Sequence, residues 1–392
     1  MLPKWIRAGR LPAAPAAVPE MPTPGMPNAA VDDERESYYI ASQRQLIWRK
    51  FRKHKIAMFC GIFLVLLYAS AIFSDFLTPY DVSARTAFRY APGQPLVLID
   101  SSGIGVRVYG YHQTNDEKTL RTIYTVDATK VYPVQWFTHG YPYRLLGVFP
   151  TDIHLFGVKQ GTTIFLFGTD ELGRDLFSRA FAALRISLFV GLVGVTLSFV
   201  IGVVLGGISG YFGGVPDMII QRLIDLILSI PTIPLWLALS AALPPYWSST
   251  SVFFGITVIL SLIGWSGVAR IVRGKFLELR EEDFVAAAIV AGASNRRIIL
   301  RHLVPAFASY LIVQLTLSIP QVILGETALS YLGLGIRAPA VSLGTLLEDA
   351  QNIRVVALYP WLLIPALFLI VIVLAFNFLG DGLRDSVDPY KQ

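Results

Sequence analysis

The fold class is decided by Ile186–Ile208, ISLFVGLVGVTLSFVIGVVLGGI, a stretch without a single charged side chain. A helix needs roughly 20 apolar residues to cross the ~30 Å hydrocarbon core of a bilayer, and this stretch is long enough. Comparable stretches recur along the chain. They predict six membrane spans, at Ile56–Leu77, Ile186–Ile208, about Ile219–Leu243, Ser251–Ala269, Leu303–Leu324 and Leu358–Leu379.

Composition agrees with a membrane protein and excludes several function classes. The 392 residues are 54% hydrophobic and 15% charged, with a mean hydropathy of +0.56, which is too apolar for an average soluble domain. The formal net charge of +6 is not gathered on one exposed face, so we expect no nucleic-acid partner. The single cysteine, Cys60, excludes an internal disulfide and a Cys-based zinc or redox motif. The five histidines show no metal-ligand spacing, and no catalytic residues are predicted.

Basic residues predict the orientation of the spans, because Lys and Arg are retained on the cytoplasmic side. Six of them stand within residues 44–55, before the first span, and seven within residues 270–301, between spans four and five. With six spans, both termini then lie in the cytoplasm. Residues 78–185 hold eleven Lys and Arg, but long loops translocate largely regardless of charge, so this segment is predicted outside.

The chain divides into four predicted parts. Residues 1–43 are Pro-rich and predict a disordered cytoplasmic tail. Residues 44–80 form a basic segment and the first span, residues 81–167 an extracytoplasmic insert, and residues 168–392 a membrane core with spans two to six. The predicted fold class is therefore an all-α polytopic membrane protein with six transmembrane helices and a small β-rich extracytoplasmic insert between spans one and two.

β-Structure is predicted in the insert from β-rich runs separated by Gly, Asn, Asp and Pro. The runs are Pro95–Asp100, Ile104–Tyr109, Leu120–Val126 and Thr162–Phe167. The insert is also rich in aromatic residues, which favours a small core packed against the membrane mouth. A binding surface is the alternative interpretation.

Residues 282–305, EDFVAAAIVAGASNRRIILRHLVP, form the most informative stretch outside the spans. They predict a short Ala-rich helix, a break at Gly292, an N-cap at Ser294 and a second helix that ends at Pro305. Small side chains on the first helix let the backbone of another protein approach closely, whereas the arginines of the second keep it at the surface. An amphipathic hairpin lying at the membrane surface is the alternative interpretation.

The spacing within this stretch resembles the coupling-loop signature of ABC-transporter permeases, which is Glu-Ala-Ala, three residues, Gly, nine residues, Ile-x-Leu-Pro. Gly292 lies six positions after Ala286, and Pro305 thirteen positions after Gly292, as in the signature. Ala286 replaces the glutamate, and His302 and Val304 replace the isoleucine and leucine. The resemblance implies that ATPase subunits dock on this loop, through Asp283, Ala286, Ala287, Gly292, Ala293, Ser294, Arg297 and Pro305.

Further motifs narrow the resemblance to one family. They are GTDELGRD at 168–175, GYFGG at 210–214, ALSYLGLG at 328–335, FLGDGLRD at 378–385 and FRKHKIAMF at 51–59. In this order they resemble the C-type subunit of the dipeptide, oligopeptide and nickel permease family, here with an enlarged insert after the first span. The resemblance implies structural or gating roles for Gly168, Asp170, Gly173, Arg174, Asp175, Glu326, Asp381 and Arg384.

Gly168 and Gly173 are also spaced as in a phosphate-binding loop, Gly-x4-Gly-Lys-Ser/Thr. Here Arg-Asp stands where Lys-Ser/Thr belongs, and the carboxylates of the segment would repel phosphate. We therefore expect no ATP binding by this chain. The segment instead predicts a turn and a helix start capped by Thr169 or Asp170.

Three charged residues in or at the ends of the predicted spans have both a structural and a functional interpretation. Arg222 and Asp225 are three residues apart, and an ordinary i,i+3 ion pair is favoured over a transport site. Glu326 leaves two alternatives open, which are packing at a helix end and lining of a transport pathway.

The resemblance implies a permease subunit of an ATP-driven, binding-protein-dependent importer for di- or oligopeptides, with oligosaccharides and nickel chelates as alternative substrates. It implies a non-catalytic, multi-pass protein of the bacterial inner membrane. The implied partners are membrane lipid, a paralogous permease subunit, two P-loop ATPase subunits and an extracytoplasmic solute-binding protein. No cofactor is expected in this chain, because ATP and magnesium would bind the ATPase subunits. The insert would dock the binding protein or guard the entrance.

A secondary carrier or channel without ATPase partners is the alternative from another class. Such a carrier needs charges at mid-membrane or inverted repeats, and the predicted spans two, four, five and six lack charges centrally. A membrane-embedded enzyme ranks third, because no span carries a His-x-x-Glu-His pair or a nucleophile beside a base.

Overall fold

The computed structural model describes residues 43–100, 103–115, 117, 121–159 and 161–388. The predicted tail, residues 1–43, lies outside the described residues except for Gln43. The chain divides into two compact units, residues 1–50 and 51–392. Helix α1 (Gln43–Lys53) begins in the first unit, and the other elements belong to the second.

The second unit is mostly helical with a small β region, as the sequence predicts. Its helices are α2 (Lys55–Ile72), α3 (Ser74–Leu77), α4 (Leu176–Phe212), α5 (Gly214–Ser229), α6 (Thr232–Ala241), α7 (Ser249–Leu279), α8 (Asp283–Val290), α9 (Asn295–Arg297), α10 (Val304–Ala306), α11 (Ala308–Tyr331), α12 (Leu343–Glu348), α13 (Ile353–Leu358) and α14 (Ile364–Val387). A π-helical segment, Ile298–Leu303, joins α9 to α10, and a 3-10 turn, Pro360–Leu363, precedes α14. Between α3 and α4 lie the strands β1 (Leu96–Asp100), β2 (Gly103–Asn115), β3 (Thr122–Pro133), β4 (Gln135–Leu145) and β5 (Phe149–Gly157).

Within the described part of the chain, five helical segments are long and apolar enough to cross a membrane: α2, α4, α7, α11 and Pro360–Val387, which contains α14. Helices α5 and α6 reach this length together, but they meet at 88°. The third predicted span is therefore not one straight helix. The break falls at Ile230, whose extended backbone is the conformation favoured before a proline such as Pro231.

Helices α4 and α7 run parallel, as their contacts demonstrate. The hydroxyl of Ser261 donates to the carbonyl of Gly194 over 2.9 Å, and further along both helices Gly210 lies against Phe276. Because α7 runs in the same direction as α4, the chain between them has to return along the bundle, and α5 and α6 make this return. We call the end where α4 and α7 finish the loop end, and the opposite end, where the strands attach, the insert end.

Gly202, Gly206 and Gly210 let α4 and α7 approach closely. A Cβ on Gly206 would lie 2.8 Å from the Cα of Ala269. A Cβ on Gly210 would lie 2.6 Å from the Cβ of Phe276. Small residues at four-residue spacing are typical of helix pairs in membranes, where close van der Waals packing replaces the hydrophobic effect. This glycine stripe fixes the position of α4 on α7.

The main hydrophobic core joins α2, α4, α7, α11, α12 and α14. Its fully buried members include Leu184, Leu188, Leu260, Ile323 and Leu343. The outer faces of the spanning helices are apolar as well, and in α2 Phe59 is 70% and Val65 69% exposed. Apolar side chains on the outside of a spanning helix suit a lipid environment.

The strands form two antiparallel sheets, one with the order β1-β2-β3 and one made of β4 and β5. The predicted runs that begin at Pro95, Ile104 and Leu120 overlap β1, β2 and β3, so β-structure there is confirmed. The predicted strand Thr162–Phe167 is wrong, and β4 and β5 were not predicted.

Beside residues 162–167, Gln94 forms the hydrogen bonds that a neighbouring strand would otherwise form. The amide of Phe165 donates to the side-chain oxygen of Gln94 over 2.7 Å, and the amide of Gln94 donates to the carbonyl of Phe165 over 2.7 Å. These two bonds satisfy the buried backbone of Phe165 without a ladder. The β-rich composition of this segment therefore reflects burial and not strand pairing.

His154 of β5 attaches the hairpin β4-β5 to the helices. Its ring is fully buried, with Nδ1 2.8 Å from the carbonyl oxygen of Asp75 and Nε2 3.0 Å from that of Tyr141. Gly140 makes room for the ring, because a Cβ there would overlap it. The carboxylate of Asp75 in turn pairs with Arg185 of α4 over 2.6 Å. The hairpin thus joins α3 and α4 at the insert end.

Candidate functional site

The loop end carries an exposed apolar surface on α8. Phe284 is 41%, Ile289 56% and Val290 89% exposed, although all three side chains are apolar. The opposite face of α8 is anchored, because Val285 is buried in a cluster that also contains Phe276 of α7. We call the exposed residues of 283–290 the α8 surface. It is held in place from behind by Val285 and exposed in front.

Gly292 ends α8 in a left-handed turn. Its φ is +77°, and a Cβ there would meet no atom within 4 Å. The amide of Ala293 donates to the carbonyl of Ala288 over 3.0 Å and closes the turn. Ser294 stands at the N-cap position of α9, as predicted, but its side chain forms no capping hydrogen bond. The loop is instead tied down by Asn295, which accepts a hydrogen bond of 3.0 Å from the hydroxyl of Tyr211.

The second helix of the loop runs from Asn295 to Ala306 and contains the π-helical segment. π-Helical segments are rare and occur frequently at functional sites. Ile298 and Leu303 of this segment are buried beside Phe276, so the helix rests on α7. Of the residues predicted to dock an ATPase, Ala293 is half-buried, and the exposed ones are Asp283, Ala286, Ala287, Gly292, Ser294, Arg297 and Pro305.

Gly168 and Gly173, at the insert end, belong to a turn that packs on residues 86–91. Both have positive φ, +84° and +73°, and a Cβ on either would overlap a backbone carbonyl of residues 86–91. The amide of Thr169 donates to the carbonyl of Ala91 over 2.8 Å. The hydroxyl of Thr86 donates to the carbonyl of Gly173 over 2.6 Å. The two glycines therefore serve close packing of this turn against the backbone of residues 86–91.

Asp175 caps α4, so the predicted cap at Thr169 or Asp170 is wrong. Oδ2 of Asp175 accepts hydrogen bonds from the amide of Ser178 over 2.8 Å and from its hydroxyl over 2.6 Å. The hydroxyl of Thr169 instead donates to the carbonyl of Phe88 over 2.5 Å, and Asp170 pairs with arginines. The helix begins six residues later than a cap at Thr169 would require. The reason is that the residues between Thr169 and Asp175 form the turn that packs on residues 86–91.

Asp170 is the centre of an ion-pair network at the insert end. Its side chain is 1% exposed, and its Oδ1 accepts hydrogen bonds of 2.9 Å from the amides of Leu172 and Arg174. Its Oδ2 accepts one of 2.7 Å from Nε of Arg174 and another from Arg179. Arg179 also donates to Asp349 over 3.1 Å. The network therefore links the turn, the first part of α4 and the end of α12.

Asp349 and Arg179 are functional candidates that sequence reasoning missed. They are 170 positions apart, and Asp349 stands in an unremarkable acidic pair after α12. Arg179 precedes the predicted second span, which begins at Ile186, so the hydropathy pattern gave no signal for its burial in α4. A buried arginine needs a carboxylate, but the sequence does not say which one.

Asp175 predicts a pH dependence of stability. Burial raises its pKa to about 7 from 3.8, and the hydrogen bonds from Ser178 offset only part of this effect. The folded protein therefore keeps the proton to a higher pH than the unfolded chain does. Stability from this group is present below about pH 4 and is lost as the pH rises to about 7.

We expect Asp175→Asn to remove this slope, because asparagine caps a helix about as well as aspartate but does not titrate. Apparent melting temperatures of the detergent-solubilised protein between pH 4.5 and 8 test this. Between pH 5 and pH 8, the melting temperature of the wild type should fall by more than that of the variant. Parallel curves for the two proteins would contradict the assignment.

Glu326 is fully buried in α11. Its Oε2 accepts a hydrogen bond of 2.9 Å from the hydroxyl of Ser187, and its Oε1 one of 2.6 Å from Ser330. The hydroxyl oxygen of Ser187 accepts from the amide of Leu343 over 3.1 Å, and that of Ser330 from Ile336 over 3.0 Å. The carboxylate thus joins α4, α11 and α12. Of the two alternatives left open by the sequence, this arrangement favours packing.

The charged residues near the loop end are arranged differently from the prediction. Asp225 does not pair with Arg222 in the structure but with Arg270 of α7, over 2.5 Å. Asp381 and Arg384 lie exposed on the last turns of α14. In the residues that the structure describes, no group of three His, Cys, Asp or Glu side chains is placed to hold a metal ion.

Two family models match this chain. Residues 202–391 match the model described as "Binding-protein-dependent transport system inner membrane component". Residues 42–92 match the "N-terminal TM domain of oligopeptide transport permease C". The first match contains the α8 surface, and the second contains the segment 86–91 that supports Gly168 and Gly173.

The alignments with several curated relatives cover most of the length of those relatives. The oligopeptide transport system permease protein OppC of Bacillus subtilis (strain 168) is 40% identical over 224 residues, which are 57% of this chain and 71% of the relative. The dipeptide transport system permease protein DppC of the same strain is 41% identical over 57% of this chain and 68% of its own. The chain belongs to this family of binding-protein-dependent transport permeases. OppC of Haemophilus influenzae is 43% identical over 57% of this chain and 70% of the relative.

A solved structure of the methionine ABC transporter MetNI, in an inward facing conformation, also aligns with this permease. The TM-score is 0.42 and the identity 18%, over 53% of this chain and 94% of that chain.

Membership confirms the family resemblance derived from the motifs. This permease is a transmembrane subunit of an ABC importer in the inner membrane, and the family is non-catalytic, with ATP hydrolysis in separate subunits. ATPase and binding-protein partners follow for the family in general.

Proposed function

We propose that this permease imports di- or oligopeptides across the bacterial inner membrane, together with a paralogous permease as a heterodimer. The names of the relatives support a peptide substrate. Oligosaccharides and nickel chelates are the alternative substrates. The basic residues of 44–55 and 270–301 support cytoplasmic termini and an extracytoplasmic insert. The insert would then meet the solute-binding protein on the outside.

We infer that the loop 282–305 docks one of two ATPase subunits, which would bind ATP and magnesium. The observation that carries this inference is the α8 surface, where Val290 is 89% exposed at the end of the bundle opposite to the insert. Monomeric proteins rarely keep such large apolar side chains together in water, so a partner surface is expected there. Ala286 and Ala287 leave room for the backbone of that partner.

The contacts of the loop 282–305 would transmit a movement of α8 to the spanning helices. Val285 of α8 and Ile298 of the second loop helix are both buried against α7, in the cluster that contains Phe276. Tyr211 at the end of α4 holds Asn295 over 3.0 Å. If the ATPases close on ATP, a push on α8 reaches α7 and α4 through these contacts. The glycine stripe makes those two helices move as a pair, which would turn the pathway outward.

We expect Val290→Asp to release the ATPase subunits, because a carboxylate would be buried without a partner in the docked complex. Affinity purification of the tagged permease from native membranes in mild detergent, followed by mass spectrometry, tests this. Wild type should retain a second permease and P-loop ATPases, and the variant should lose at least nine-tenths of the ATPases.

The matched control is Val148→Asp, which makes the same change at a 67% exposed valine near the tip of the β4-β5 hairpin. It should retain the ATPases. Equal recovery of ATPases with both variants would remove the α8 surface from the proposal. A permease that purifies alone, with ATP-independent uptake in vesicles, would favour a secondary carrier instead.

A further inference from the structure

A cavity of about 600 Å³ lies at the insert end, on the side of the bundle remote from the α8 surface. Three segments that are far apart in sequence form its walls: residues 82–85, the two arginines of the Asp170 network, and residues between 333 and 349. Its volume is within the range of about 300–1,000 Å³ that is typical of small-molecule sites. The cavity is therefore large enough for a compact ligand and is built by tertiary structure.

Within the described ranges, three of the charged side chains that line this cavity are unpaired. Arg174 and Arg179 are held by carboxylates, as described above. The side chains of Arg85, Arg337 and Glu348 line the same cavity, and no hydrogen bond or ion pair engages them among the residues that the structure describes. An isolated surface charge of this kind is ordinary. Two unpaired arginines and an unpaired glutamate around one cavity indicate a ligand with charges of both signs.

The lining also supplies an apolar wall. Ile336 and Val341, which are 4% and 6% exposed, form an apolar part of the wall. A ligand that fits these features has an anionic end, a cationic end and an apolar part between them.

We propose that this cavity binds a short peptide with free ends, its terminal carboxylate on Arg85 and Arg337 and its ammonium group on Glu348. The guanidinium fork suits a carboxylate, which can accept two parallel hydrogen bonds from it. A neutral oligosaccharide would leave all three charges unpaired. The proposal rests on the proposed function, since it gives the imported peptide a site on the permease before it crosses the bundle.

The test measures peptide binding to the assembled transporter without its binding protein. This chain, with its partner permease and ATPases in lipid nanodiscs, is titrated with radiolabelled tri-alanine, C-amidated tri-alanine and N-acetylated tri-alanine. Amidation should weaken binding to the wild type about tenfold or more, the size of one charge-assisted hydrogen bond. Arg337→Gln should weaken tri-alanine by a similar factor, and amidation should then have a smaller effect than in the wild type, because Arg85 still holds the carboxylate. Glu348→Gln should likewise weaken the binding of tri-alanine, and N-acetylation should then have a smaller effect than in the wild type.

Arg144→Gln, an exposed arginine of β4 outside the cavity, is the matched control and should bind as the wild type does. Assembly of each variant is checked by size exclusion, and Arg85→Gln serves as the second variant if Arg337→Gln does not assemble. Equal affinity of the wild type for tri-alanine and its amide, or an undiminished amidation effect in the arginine variant, would overturn the proposal. ATP-driven uptake of tri-alanine with the binding protein present, but no saturable binding in its absence, would overturn this site alone. Failure of all peptide uptake would overturn the proposed function.

Discussion

Replacing Asp170 by alanine is expected to prevent stable folding of this permease. The carboxylate accepts hydrogen bonds from two backbone amides and from two arginines, and it is 1% exposed. Its removal leaves Arg179, which is itself 5% exposed, with Asp349 as its remaining partner. Removing one member of a buried pair costs about 3–5 kcal/mol, out of a total stability of about 5–15 kcal/mol for an ordinary domain. Two unsatisfied amides add to this cost.

Glu171→Ala is the control for Asp170→Ala, because it removes the adjacent carboxylate, which is exposed. We expect Glu171→Ala to leave the membrane level and the melting temperature unchanged. Asp170→Asn should be intermediate, since its side-chain oxygen still accepts from the two amides but carries no charge for Arg179. Fluorescence-detected size exclusion of tagged variants gives the comparison. A monodisperse Asp170→Ala protein that melts with the wild type would show that the network contributes little.

The second large effect is expected for Gly206→Ala. The new methyl group would overlap the carbonyl oxygen of Ala269 and lie 2.8 Å from its Cα and 2.9 Å from the Cβ of Val272. Backbone atoms of a spanning helix cannot swing aside as the end of a side chain can. Overpacking of this kind costs about 1–3 kcal/mol even where a core relaxes. We therefore expect α4 to separate from α7, with loss of stability and of transport.

Gly274→Ala tests whether contact is the cause. Gly274 lies on α7 near the same interface, but a Cβ there would meet no atom within 4 Å. Alanine at an open helical position stabilises by about 0.5–1 kcal/mol, so this variant should melt at or above the wild-type temperature. Thermal unfolding in detergent and ATP-driven uptake in proteoliposomes give the two readings. Equal behaviour of the two alanine variants would contradict the close-packing account.

The sequence predicts the spanning helices because their cause is local. A continuous apolar stretch such as Ile186–Ile208 has to be satisfied by its own backbone hydrogen bonds in lipid, whatever surrounds it. The bend of the third predicted span was harder to predict from the sequence. Pro231 lies in the predicted span, but hydropathy measures length and apolar character, and the 88° angle depends on how α5 and α6 pack on their neighbours.

The polar interactions were hardest to predict because their partners are distant. Asp225 was expected to pair three residues away and pairs with Arg270, 45 positions along the chain. Asp170 was identified through its motif, whereas Asp349 was not, since nothing in the local sequence relates it to Arg179. The strand predicted at Thr162–Phe167 failed for a similar reason, because a remote glutamine satisfies the backbone there. Local patterns state which groups need partners, and the tertiary fold supplies them.

The pairing of Gln94 with Phe165 brings the two ends of the strand-bearing segment together. The chain leaves the helical body and returns to it at two neighbouring positions, held together by two hydrogen bonds of 2.7 Å. The segment between them is attached to the body at further points, since His154 reaches the carbonyl oxygen of Asp75 and the hydroxyl of Tyr124 donates to the carbonyl of Arg89 over 3.0 Å. Residues 86–91, which support the glycine turn, are therefore braced by the strands as well. A force applied to the strand-bearing segment from outside would be transmitted to α3 and to this turn.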